Sequence, residues 1–167
     1  MRTLVLNTDM TPIGSTRWEN AVRMICNDRA ELVAHSGEKV HPKVYRPTII
    51  RLIRIVRVLW KKKVDWTKDN VHTRDGFICQ YCKAKLDRRE VTVDHVIPKD
   101  QGGKNTWENT VTACFPCNNK KDNRTPSQAK MYLKKRPVQP TIMEFTLRKL
   151  EIEGLTKLLD DLFKNMS

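Results

Sequence analysis

The chain has 167 residues, enough for one globular domain or a small domain with appendages, and its 32 Lys+Arg against 19 Asp+Glu give a net charge of +13 that points to a polyanionic partner. No run reaches the ~20 apolar residues of a membrane span, and the opening stretch Leu4-Val5-Leu6 is too short for a secretory signal. A cytoplasmic protein is therefore expected, with its five cysteines reduced instead of paired as disulfides.

Three segments separate by composition: residues 1–70 carry a net +7, while 71–125 and 126–167 carry +3 each. The first reads as a basic α/β segment. A strand is predicted over Thr3–Leu6, a turn around Pro12 and Gly14, and a helix from Arg17 to Asn27. Trp18, Ala21, Val22 and Ile25 give that helix an apolar face, and Cys26 is expected to be a buried, inert thiol beside them. Glu31–Ala34 reads as a return strand. Arg46–Lys63 then holds seven positive charges and no acid. The spacing of Arg51, Arg54 and Arg57 hints at helix, whereas the β-branched residues between them favour strand. These arginines, with Lys61, Lys62 and Lys63, are candidates for tracking phosphates; a charge-protected edge strand is the bland alternative.

The central segment is the most informative. Cys79/Cys82 and Cys114/Cys117 form two Cys-x-x-Cys pairs, a spacing that suits a tetrahedral structural Zn²⁺. Between them, Val91–Ile97 is a β run stopped by Pro98, a loop with Gly102-Gly103 follows, and Thr110–Ala113 returns. Asn118-Asn119-Lys120-Lys121 opens a helix. Strand, loop, strand and helix thus bring Asp94, His95 and Asn118 to one end of a compact unit. An ideal strand sends the neighbours Asp94 and His95 to opposite faces, so they share a site only where the strand twists or ends. Trp107 is expected to pack the loop against the module.

In the last segment, Thr125-Pro126-Ser127-Gln128 is a capping box predicting a helix to about Lys135. Thr141 and Glu144 begin a second helix that Gly154 stops. Leu155, Leu158, Leu159, Leu162 and Phe163 line a final helix, a stripe suited to the chain's own core or to a homodimer.

The stretch Asp94-His95, Trp107-Glu108-Asn109 and Cys114-Phe115-Pro116-Cys117-Asn118-x-x-Lys121 resembles the HNH endonuclease family. More loosely, residues 1–130 are similar to zinc-containing HNH proteins of bacteria and their phages, including the lead-in Arg74-Asp75-x-x-x-Cys79-x-x-Cys82. The resemblance implies an α+β chain: a zinc-ribbon-stapled ββα-metal (His-Me finger) module at 71–125, an N-terminal α/β segment and a helical tail. It also implies a metal-dependent DNA endonuclease. His95 would be the general base and Asn109 would tie the loop to the backbone beside it. Asp94 and Asn118 would offer hard oxygen ligands to Mg²⁺ or Mn²⁺. Many relatives carry histidine where this chain has Asn118, which favours those ions over softer ones. Arg74, Lys120, Lys121 and Arg124 join the candidate DNA contacts. The alternative is a zinc-finger nucleic-acid-binding module without catalysis, which would have no reason to assemble Asp94, His95, Asn109 and Asn118.

Overall fold

The computed structural model describes residues 1–57, 63–133 and 135–164, which form an α+β structure in two compact units. The first unit comprises Met1–Lys62 with Ile142–Ser167, and the second Lys63–Thr141. The tail that composition draws at 126–167 is therefore shared between them. Among the described residues, no helix is long and apolar enough to cross a membrane.

In the first unit, β1 (Arg2–Leu6), β2 (Pro12–Arg17), β3 (Ala30–His41) and β4 (Val44–Leu52) form a sheet ordered β2-β1-β4-β3. Only β1 and β4 run parallel. Period-two alternation decides the two faces. Leu4, Leu6 and Ile49 pack with Leu150 of α4 (Ile142–Ile152) and with Leu155 and Leu159 beyond it. Val5 and Ile50 pack with Ala21 of α1 (Trp18–Cys26) and with Ala30.

The turn expected at Pro12–Gly14 is instead edge strand, where a proline costs no ladder bond; the reversal lies at Asn7–Met10, with Met10 left-handed at φ 67°. Cys26 is exposed, because it closes α1 one position past the buried face. The basic run resolves as strand through Leu52, after which the chain leaves the sheet. Arg51 pairs with Glu31 at 2.6 Å, while Arg54 and Arg57 lie exposed beyond the strand. Lys61 and Lys62 fall outside the described residues, and Lys63 is exposed.

Gly154, at φ 71°, ends α4, and α5 (Thr156–Lys164) follows. Its leucine stripe is spent on the chain's own sheet: Leu155 and Leu159 are buried, with Leu158 and Leu162 packed against them. The helix predicted from Thr125 is a single turn. The capping box forms, with Thr125 and Gln128 bonding reciprocally. Lys130 then turns left-handed at φ 54°, letting Ala129 and Met131 both be buried. Propensity starts that helix and burial stops it.

The second unit is built on an antiparallel hairpin, β5 (Val91–His95) against β6 (Thr110–Cys114). Two short helices flank it, α2 (Lys68–Arg74), capped by Thr67, and α3 (Phe115–Lys121). His72 on α2 is buried, its Nδ1 3.1 Å from Thr112 Oγ1. Burial holds its basicity below the ordinary histidine value of 6.5, despite the nearby carboxylates of Asp69 and Asp75. The unfolded chain therefore binds the proton first as pH falls, so stability is complete above about pH 6.5 and declines below it. We expect the unit's denaturant midpoint to drop between about pH 7 and pH 5, and His72→Gln to flatten that drop. An equal slope in both proteins would acquit His72.

Candidate metal centre and active site

The four predicted zinc ligands converge. The first knuckle is a small hairpin in which Lys83 donates to the Cys79 carbonyl and Cys79 to that of Ala84, with Lys83 left-handed at φ 68°. The second spans the junction of β6 and α3, where Pro116 occupies the helix's first turn. Gln80 N–H donates to Thr112 O at 2.9 Å and fastens the first knuckle to the strand that leads into the second. The sulfurs of Cys79, Cys82, Cys114 and Cys117 all lie within 4.8 Å of one another, with Cys82 and Cys114 3.8 Å apart. Ligands about 2.3 Å from a tetrahedral zinc are themselves about 3.8 Å apart, so this cluster can hold that ion. Burial pushes the Cys79 thiol up, but backbone N–H groups of Cys82, Cys114 and Tyr81 outweigh it and bring it to about 7. A thiolate at that position is what a zinc ligand must be.

Beside the knuckles, a cavity of about 380 Å³ is lined by Asp94, His95, Lys99, Asn118 and Lys121 among others. Asp94 and His95 both line this cavity although each is still paired in the ladder, to Val111 and Thr110, and His95 is the last residue of β5. Asp94 is 5% exposed, and both of its carboxylate oxygens are held. Tyr81 donates its hydroxyl to Oδ2 at 2.5 Å, and the Lys121 ammonium meets Oδ1 at 3.0 Å. Each carboxylate oxygen has a second lone pair, so the group keeps capacity for a cation. Burial, then the bond to Asp94, raises the Tyr81 hydroxyl far above the ordinary tyrosine value, and it remains a donor. Asn118 donates its amide nitrogen to Thr92 Oγ1 at 3.0 Å, which reserves its carbonyl oxygen as the acceptor end. An all-oxygen pair of this kind suits a hard divalent ion.

His95 Nε2 lies 2.7 Å from Asn105 Oδ1. A carbonyl oxygen can only accept, so that nitrogen carries the proton and Nδ1 holds the free lone pair. Asn109 knits the loop, accepting from Ile97 N–H at 2.8 Å and donating to the carbonyls of Ile97 and Lys104 at 3.1 and 3.0 Å. Gly103 closes the same loop. A Cβ there would stand 1.8 Å from the Ile97 carbonyl oxygen and 2.8 Å from the Asn109 amide nitrogen, so only glycine lets the two passes of chain meet.

Several predicted DNA contacts are employed elsewhere. Arg74 is turned inward: it bonds Asp75 and the carbonyls of Trp107 and Thr110, and its guanidinium stacks over the Trp107 ring. Lys121 is 1% exposed, its three N–H donors taken by Asp94, Asp122 O and Arg124 O. Arg124 is exposed, but its guanidinium reaches the last carbonyls of α3 at Lys120 and Lys121, where the helix end is partially negative. Lys120 is exposed. Trp107 is buried and donates to Val64 O at 3.0 Å.

Sequence reasoning missed Lys99, which lines the cavity, and Tyr81 and Asn105, which bond Asp94 and His95. Lys99 follows His95 by four residues along the chain, whereas only tertiary contact brings Tyr81 to Asp94 and Asn105 to His95.

A hairpin and helix joined by four clustered cysteines, with a carboxylate, an imidazole and an amide on one cavity, define a ββα-metal module. Residues 79–124 match the family model described as HNH endonuclease, and residues 3–60 match that of the HNH endonuclease-associated, N-terminal domain. The chain is thus an HNH-family protein, with its HNH domain behind the associated N-terminal domain. Among curated proteins, none matches it.

Proposed function

We propose that the protein is a metal-dependent DNA endonuclease that hydrolyses phosphodiester bonds at the cavity of Asp94, His95 and Asn118. The observation that carries this reading is the co-location of those three side chains beside the cysteine cluster. His95 takes the proton of the attacking water on Nδ1, with Asn105 holding the opposite nitrogen. Asn109 keeps the loop, and hence the imidazole, in register with the strand end. Asp94 and Asn118 would hold one Mg²⁺ or Mn²⁺, which supplies charge neutralisation at the phosphate and leaving oxygen when bound. Lys99, on the same cavity, is placed to meet a phosphate oxygen.

Exposed Arg54, Arg57, Lys63 and Lys120 are the remaining candidates for DNA contacts, with Arg51 available once released from Glu31. The basic first segment, 1–70, would serve DNA binding and 71–125 the chemistry. A thiolate zinc site persists best in a reducing compartment, which supports a cytoplasmic setting. The resemblance to bacterial and phage HNH proteins supports such a source.

Purified protein with Mg²⁺ or Mn²⁺ is expected to convert supercoiled plasmid to nicked and then linear forms, with 5′-phosphate and 3′-hydroxyl ends. Brief chelation of the loosely held ion should stop cutting and its re-addition restore it. Binding of plasmid without any cutting, over a range of divalent ions, would instead leave a zinc-finger binding module.

A further inference from the structure

We propose that Tyr81 is a positioning residue for the catalytic metal: from within the first zinc knuckle, its hydroxyl holds the Asp94 carboxylate in the orientation that binds the ion. The inference rests on the nuclease reading above and adds a mechanical link between the two metal sites.

Tyr81 lies between Cys79 and Cys82, so the knuckle's path fixes where its ring begins. The ring packs on the cluster of Cys79, Leu86 and Ala113, and Gln80, its neighbour, is bonded to β6. Those contacts leave the hydroxyl little freedom, and it meets Asp94 Oδ2 at 2.5 Å. Lys121 holds the other oxygen at 3.0 Å, from the helix that follows the second knuckle. Each half of the zinc module thus restrains one oxygen of the same carboxylate. Two donors on different oxygens restrain rotation about the Cβ–Cγ bond more tightly than either would alone. A carboxylate 5% exposed has little water to replace either partner. Neither Tyr81 nor Lys121 is needed for this by zinc itself, which the four cysteines can hold alone.

Tyr81→Phe in the full chain isolates the hydroxyl, since the ring and its packing stay. Zinc content by mass spectrometry is expected to match wild type, with a modest fall in thermal midpoint from the bond lost at a buried carboxylate. Mn²⁺ affinity, followed by electron paramagnetic resonance or calorimetry, should fall about 10–100-fold, as for other groups that orient metal ligands. Cleavage should fall in parallel at limiting Mn²⁺ and recover partly at excess, with KM for DNA unchanged. In an Asp94→Asn background the same change should cost nothing more.

Wild-type Mn²⁺ affinity in Tyr81→Phe, in a preparation whose wild type binds Mn²⁺ and cuts, would overturn the link and leave the nuclease reading intact. Loss of zinc from Tyr81→Phe would also overturn it, by making the hydroxyl a part of the knuckle. A wild type that neither binds Mn²⁺ nor cuts would remove the nuclease reading, and this inference with it.

Discussion

Replacing His95 by alanine is expected to lower the cleavage rate about 10²–10⁴-fold, the usual contribution of a positioned general base. The loss should fall on kcat, because the imidazole acts on water and makes no contact that holds the DNA in the ground state. Zinc content, thermal midpoint and plasmid affinity should stay near wild type, since the ring's single side-chain bond is to Asn105 at the surface. An Asn105→Ala protein should sit between the two. It keeps the base but frees the ring, and its cutting should be reduced less than in His95→Ala. Cutting by His95→Ala at the wild-type rate would sink the proposed base, and attention would pass to another proton acceptor on the cavity.

Removing zinc is expected to unfold the second unit. The buried apolar residues there include Val71, Leu86, Trp107, Val111, Ala113, Ala129 and Met131, with Cys79 itself among the most buried. That is a small core for Lys63–Thr141. Structural zinc contributes apparent free energies of about 10–16 kcal/mol in small modules, against a total stability of about 5–15 kcal/mol for a typical domain. A strong chelator should therefore erase hydrogen-exchange protection over β5, β6 and α3, and the first unit's sheet should keep its own. Cys79→Ser should do the same without chelator, because its thiolate is the buried member of the set. Protection of the hairpin unchanged after complete zinc loss would refute the staple. Its zinc-free state would also lose the Asp94 clamp, so cutting should disappear with protection and at the same chelator concentration.

The zinc cluster and the hairpin that it clamps could be read from residue order because their signals are local. Cys-x-x-Cys pairs, a β run ended by Pro98, and Gly102-Gly103 each report on a few neighbouring residues. The same holds for the end of α4 at Gly154 and for the α+β class. Burial decided the rest. Thr125 has a complete capping box and still makes only one turn, because Ala129 and Met131 must both turn inward and Lys130 reverses the chain. Pro12 and Gly14 look like a turn and serve as an edge strand, because β1 offers them a partner.

Charge misled for a related reason. Arg74 and Lys121 read as surface cations, yet each is fully supplied with acceptors inside the second unit. A guanidinium or ammonium is indistinguishable in sequence whether it faces water or carbonyl oxygens. By itself the sequence determined which atoms could bind zinc, take a proton and hold a hard cation, since those are properties of side chains. Only the tertiary structure decided that Tyr81 and Lys121 grip the carboxylate and that Asn105 holds the imidazole. Those are properties of distance, and distance between remote residues is set by the packing of the whole unit.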